Sequence, residues 1–212
     1  VKFRTQAQEQ LWNLIDKKEI TICAGSAGTG KSHISILKAL DLLSKQPEKY
    51  KRIIITTPII EADGEKMGFL PGTVEEKMFP YAYSSIYLFE KILGKQKVDR
   101  MLDRGHIVLM ALAFLRGVNI DNSILLCEES QNLTPKTMKT LLTRIGENSK
   151  FILNGDLSQS DRVKNQNESG LFFSMDKLKN IPQIGIFEFS DSDIVRNPII
   201  QIILKRFNGD IE

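Results

Sequence analysis

Gly25-Ser-Ala-Gly-Thr-Gly-Lys-Ser32 is the stretch that decides the fold of this chain. Its spacing is G-x-x-x-x-G-K-S, the phosphate-binding P-loop pattern. The glycines let the backbone turn through conformations closed to other side chains. Successive N–H groups then face inward around a polyphosphate. Lys31 would add a point charge at the β- and γ-phosphates, and the Ser32 hydroxyl would ligate Mg²⁺. The flanks agree with this reading. Ile20-Thr-Ile-Cys-Ala24 is a short, β-rich apolar run of the kind a buried parallel strand needs, and helical spacing resumes after the loop through Ile34, Leu37 and Leu40. The candidate nucleotide contacts are Gly25, Ser26, Ala27, Gly28, Thr29, Gly30, Lys31, Ser32 and His33.

Outward from the loop, the chain alternates strand and helix. Helices are expected over 5–16, 31–44, 74–93, 97–103, 135–146 and 198–207, with Thr134 as an N-cap. Strands are expected over 20–24, 52–56, 107–110, 123–127, 151–154 and 184–189, and the 58–73 and 156–168 stretches read as irregular. This order predicts a three-layer α/β/α fold with a mostly parallel central sheet, formed by residues 1–212 as a single domain. The 212 residues are 42% hydrophobic and 26% charged, a balance that suits one globular unit. Net charge is +3, which permits a nucleic-acid partner without requiring one. Cys23 and Cys127 lie in apolar runs and read as buried thiols, and no run approaches the ~18 apolar residues of a membrane span. No signal peptide is visible, and Val1 in place of Met points to a processed or trimmed start. The expectation is therefore a cytoplasmic protein with no membrane association.

Ser123-Ile-Leu-Leu-Cys-Glu128-Glu129 is an apolar strand ending in two carboxylates. In a P-loop enzyme, the first such acid helps hold Mg²⁺ and the second orients and activates water beside the γ-phosphate. These residue types assign Glu128, with Ser32, to the metal and Glu129 to the general base. Phe151-Ile-Leu-Asn-Gly-Asp156-Leu-Ser-Gln159 is a further strand-to-loop segment. In additional-strand P-loop ATPases a strand lies between the P-loop strand and the acid-bearing strand. Its end carries a polar sensor near the γ-phosphate, and Asp156 and Gln159 are the candidates.

Several motifs together resemble the PhoH-like ATPases. They are the P-loop, Ile60-Glu-Ala-Asp-Gly-Glu-Lys-Met-Gly-Phe-Leu-Pro-Gly72, Glu75-Glu-Lys-Met-Phe-Pro-Tyr81, Glu128-Glu-Ser-Gln-Asn132, Leu142-Thr-Arg-Ile-Gly146, Gly155-Asp-Leu-Ser-Gln159 and Asp193-Ile-Val-Arg-Asn-Pro198. The resemblance runs over nearly the whole chain. It implies a RecA-like core similar to the first motor domain of superfamily 1 helicases, with ATP and Mg²⁺ as cofactors. It also implies that Gln8 reads adenine and that Arg196 serves as an arginine finger, joining Lys31, Glu129 and Gln159 among the catalytic candidates. The chain departs from the family pattern in three places: Glu128 stands where Asp is usual, Thr57 where Arg is frequent, and Asp63 reads as an insertion.

The aromatic run Phe79-Pro-Tyr-Ala-Tyr83-Ser-Ser-Ile-Tyr87-Leu-Phe89 admits two readings, a helix packed on the sheet or a platform for single-stranded bases. Arg100, Arg104 and Arg116 are candidate phosphate contacts. By analogy to helicase motors, RNA or single-stranded DNA is the expected macromolecular partner. A superfamily 1 helicase needs two RecA-like halves, so a chain of this length is expected to act as a homo-oligomer, a ring such as a hexamer. The functional expectation is Mg²⁺-dependent ATP binding and hydrolysis. The competing one is a nucleotide-gated switch or scaffold with negligible turnover.

Overall fold

A computed structural model describes residues 1–58, 74–115, 117–159, 168–195 and 206, the side chains of 74–77 aside. Six strands form one all-parallel sheet: β1 (Ile20–Ala24), β2 (Arg52–Thr56), β3 (Ile107–Leu109), β4 (Ser123–Cys127), β5 (Lys150–Gly155) and β6 (Ile184–Glu188). Their spatial order is β3-β2-β4-β5-β1-β6, so β5 separates the P-loop strand β1 from the acid-bearing strand β4. The registers Cys23 with Asn154 and Cys127 with Leu153 bring the C-terminal ends of the three strands level.

Burial explains why these runs became strands. Every residue of β1, β4 and β5 is buried, as strands covered on both faces must be. Their side chains alternate between two cores, following the period of two along a strand. Cys23, Ile53, Ile55, Ile124, Leu126 and Ile152 face one core, and Ile22, Ile54, Leu125, Phe151 and Leu153 the other. The first core is covered by α1 (Gln6–Lys17), α2 (Lys31–Lys45), α3 (Val74–Leu93) and α4 (Lys95–Asp103). The second is covered by α5 (Pro135–Leu142), α6 (Gly170–Lys177) and a short 3-10 turn at Leu112–Leu115.

Two ties fix α1, which lies against the P-loop side of the sheet. Lys38 is buried in α2, pairs with Asp16 at 2.6 Å and lies 4.5 Å over the Trp12 ring. Lys150 at the start of β5 donates its ammonium to the carbonyls of Ile15 (2.5 Å), Asp16 (3.3 Å) and Lys18, capping the C-terminus of α1. Burial pushes Lys150 down to about 8.

Two boundaries differ from the sequence reading by two residues or more, and one helix is additional. The helix expected over 135–146 stops at Leu142, because Ile120 takes Gly146 and Ile145 into backbone pairing. Helix α4 begins two residues earlier than expected, at Lys95. Helix α6 was not expected at all. Thr134 does cap α5, accepting from the Thr137 amide at 3.2 Å. The expected helix over 198–207 lies outside the described residues apart from Arg206.

Candidate active site

The site lies at the C-terminal ends of β1, β4 and β5, where an open parallel sheet binds its ligands. Gly30 is the N-cap of α2 at φ 95°, and no side chain caps the helix's first amides. Those amides and the helix dipole make that end suited to an anion. A Cβ on Gly30 would sit 2.6 Å from Gln8 Nε2, and one on Gly25 would sit 2.6 Å from Phe189 Cβ. The loop is therefore packed on both flanks as well as turned.

A pocket of about 360 Å³ opens here, lined by Ala27, Gly28, Gly30, Lys31, Ser32, His33, Leu88, Glu128, Glu129, Asn154, Gly155, Asp156 and Gln159. The P-loop, the β4 acids and the β5 loop, far apart in sequence, thus share one cavity. Lys31 donates to the carbonyls of Gly25 (2.5 Å) and Ser26 (3.0 Å). Burial pushes its amine below the ordinary lysine value, with the carboxylates of Asp156, Glu128 and Glu129 opposing that shift. His33 is likewise lowered, first by burial and then by Arg4.

Ser32 Oγ donates to Glu128 Oε2 at 2.7 Å, and Asn154 Nδ2 donates to Glu128 Oε1 at 2.9 Å. Ser35 Oγ in turn donates to Asn154 Oδ1 at 3.1 Å. Burial raises Glu128 above the usual carboxylate range, and the bonds from Ser32 and Asn154 pull it back. A hydroxyl and a carboxylate side by side are hard oxygen donors of the type Mg²⁺ takes, so this pair fits that ion. The extra methylene of Glu128 is accommodated without displacing it from Ser32.

Glu129 is exposed and adopts a left-handed backbone conformation, φ 52° and ψ 34°, which costs a non-glycine residue of order 1–3 kcal/mol. Its carboxylate accepts a hydrogen bond from Gln131 Nε2 at 2.7 Å. The same amide nitrogen reaches the Gln159 carbonyl at 3.0 Å, and Gln131 Oε1 accepts from the Asp156 amide at 3.0 Å. Gln131, only 1% exposed, thus joins the β4 acid to the β5 loop.

The other predicted residues fall as follows. Asp156 is buried, and its Oδ2 accepts from the Ala27 amide at 3.1 Å, so it braces the P-loop directly. Gln159 lines the pocket with an exposed side chain. Gln8 lies beside the pocket and not among its lining. Its Nε2 donates to the Thr29 carbonyl at 3.0 Å and its Oε1 accepts from the Arg4 amide at 3.0 Å. One N–H of its amide thus ties α1 to the loop backbone, and its oxygen ties back to Arg4. Arg196, Asp63 and Arg116 lie outside the described residues, while Thr57 is buried after β2. Sequence reasoning missed Gln131, Asn154, Leu88 and Asp191, which accepts from Ser26 Oγ at 2.9 Å. Asn154 carried a signal, an amide closing an apolar strand, and Gln131 stands beside the acids. Leu88 carried none.

The family model described as "PhoH-like protein" matches residues 1–208. The chain belongs to the PhoH family. It is 35% identical over 208 residues to the "PhoH-like protein" of Bacillus subtilis (strain 168), covering 98% of this chain and 64% of that one. It is 33% identical over 207 residues to "Protein PhoH" of Escherichia coli (strain K12), covering 97% of this chain and 57% of that one. The chain therefore spans about three-fifths of the length of these PhoH relatives. Among solved structures, the large terminase of a thermophilic bacteriophage superposes with a TM-score of 0.52 at 11% identity, over 97% of this chain and 50% of that one. That likeness concerns the fold alone. With the sheet order and the P-loop, the PhoH match gives this chain the P-loop NTPase fold, a three-layer, RecA-like architecture. No helix among the described residues is long and apolar enough to cross a membrane.

Proposed function

We propose that the protein is a Mg²⁺-dependent ATPase whose turnover acts on single-stranded nucleic acid. The observation that carries the hydrolytic reading is Glu129, an exposed carboxylate held in a strained backbone at the rim of the P-loop pocket by the amide of Gln131. Strain of this kind persists where the surroundings over-determine it, and it clusters at working sites. Glu129 would take a proton from the attacking water, which a carboxylate fixed at a strand end can do. Lys31 would leave the carbonyls of Gly25 and Ser26 to meet the β- and γ-phosphates. The bound metal would supply charge neutralisation at the phosphates, held by Ser32 and Glu128. Asn154 would keep Glu128 in place. Gln159 would face the γ-phosphate from the β5 loop.

A second groove supports the nucleic-acid half of the reading. It measures about 710 Å³ and is lined by Thr57, Ala111, Thr134, Lys136, Thr137, Thr140 and Arg144, among others. It opens past the C-terminal ends of β2, β3 and β4, on the same edge of the sheet as the nucleotide pocket. Arg144, whose Nη2 donates to Thr143 Oγ1 at 3.4 Å, and Lys136 make no ion pair among the described residues. Hydroxyls beside cations suit a phosphodiester backbone. A homo-oligomeric ring, such as a hexamer, would offer Arg196 to a neighbour's nucleotide. The buried thiols of Cys23 and Cys127 accord with a cytoplasmic site of action.

Phosphate release with Mg²⁺-ATP tests the reading. Wild type should turn over, and EDTA or Lys31→Ala should abolish turnover. Binding of ATP by wild type without measurable phosphate release would favour the alternative, a nucleotide-gated switch.

A further inference from the structure

Helix α3 presents two unlike faces. Met78, Ala82, Ile86 and Phe89 are buried against the sheet at 0–2% exposure. Phe79, Tyr83 and Tyr87, spaced four apart on the adjoining flank, are 42%, 57% and 44% exposed. The three rings form a ladder. Phe79 and Tyr83 meet edge to face at a centroid distance of 6.3 Å, and Tyr83 and Tyr87 lie within 16° of parallel, also at 6.3 Å. The next position on the same line is Lys91, whose Nζ sits 4.6 Å over the Tyr87 ring. Lys91 forms no ion pair among the described residues, whereas its neighbour Glu90 is taken by Lys95 at 3.5 Å.

We infer that this ladder is a stacking platform for single-stranded nucleic acid. Three features select that occupant. Every large apolar side chain that the described part of α3 exposes is aromatic, the side-chain type on which unpaired bases stack. Each ring offers a π-face, which any base can stack on regardless of sequence, and two of the three carry a hydroxyl that tolerates water. The line ends in a cation that forms no ion pair among the described residues, as contact with a phosphodiester backbone favours. A duplex, whose bases already stack on each other, would gain little from such rungs. At about 1.5 Å rise per residue the rungs span about 12 Å, enough for about three bases.

The platform is separate from the threonine-lined groove, since α3 and α5 cover opposite faces of the sheet. It is connected to the nucleotide pocket, because Leu88, next to Tyr87 in α3, lines that pocket. A strand on the ladder is thus one residue away from a wall of the NTP site. The inference rests on the nucleic-acid half of the proposed function and is independent of the hydrolytic half.

Fluorescence anisotropy with a labelled 20-mer of deoxythymidine, a 20-mer of uridine and a blunt DNA duplex tests it. Wild type should bind one or both single strands more tightly than the duplex. The two single-strand arms separate DNA from RNA. Phe79→Ala/Tyr83→Ala/Tyr87→Ala should weaken that binding by about fivefold or more for each ring lost. Tyr83→Phe/Tyr87→Phe, which keeps the rings, should bind within about twofold of wild type and guards against misfolding of the triple variant. Lys91→Ala should lower the slope of log affinity against log salt by about 1. Basal phosphate release without nucleic acid should be unchanged in all of them. Wild-type affinity in the triple-alanine variant would overturn the platform while leaving the groove reading intact. No single-strand binding by wild type would overturn both, without touching ATP hydrolysis. Loss of a larger assembly in the triple variant, seen by solution mass with strand affinity intact, would assign the ladder to a second copy and overturn the inference.

Discussion

Replacing Gln131 with alanine should separate turnover from nucleotide binding. The side chain makes three hydrogen bonds: to the Glu129 carboxylate, to the Gln159 carbonyl and from the Asp156 amide. Each net bond is worth about 1 kcal/mol, and a donor stranded in the interior, here the Asp156 N–H, costs about 1–3 kcal/mol. The variant should therefore lose about 3 kcal/mol of stability, measured by urea denaturation, and still fold. Glu129 would keep its strained backbone but lose the group that aims its carboxylate. A displacement of ~1 Å at a reacting group can cost about a hundredfold in rate, so kcat should fall by about 10- to 100-fold. Gln131 does not line the nucleotide pocket, so KM for ATP should change by less than about threefold. Gln131→Glu gives a second readout. It removes the amide donor and sets a like charge beside the Glu129 carboxylate, so kcat should fall at least as far as in the alanine variant. A folded Gln131→Ala protein with wild-type kcat would refute the positioning role.

Other expectations concern the loop and its supports. Gly30→Ala places a Cβ 2.6 Å from Gln8 Nε2 at φ 95° and should abolish nucleotide binding. Adding Gln8→Ala should relieve the clash and recover only part of the stability, since about 1 kcal/mol of backbone strain remains. Lys150→Met strands the carbonyls of Ile15, Asp16 and Lys18 and should cost about 2–3 kcal/mol in thermal or urea unfolding.

The strands were legible because β1, β4 and the Phe151-Ile-Leu153 run of β5 are apolar at nearly every position, as a doubly covered sheet demands. The chemistry at their ends was legible because glycines, lysine and paired acids have few other uses at that spacing. Helix α6 was not. Gly170-Leu-Phe-Phe-Ser-Met-Asp-Lys177 is short, starts on glycine and lacks a side-chain cap, and its place depends on Gly170 packing against the backbone at Leu133 and Thr134. The aim of Gln8 was also illegible, since the acceptor it uses is a backbone carbonyl twenty-one residues away. The aromatic run in α3 was ambiguous for a physical reason: helical spacing divided it, burying Phe89 and exposing Phe79, Tyr83 and Tyr87.

The most direct measurement is phosphate release by wild type and Glu129→Gln under saturating Mg²⁺-ATP, alongside ATP binding by each. Glutamine keeps the shape but cannot take a proton from water. The account predicts comparable ATP affinity and a loss of turnover of about a hundredfold or more. Equal rates of phosphate release would contradict it.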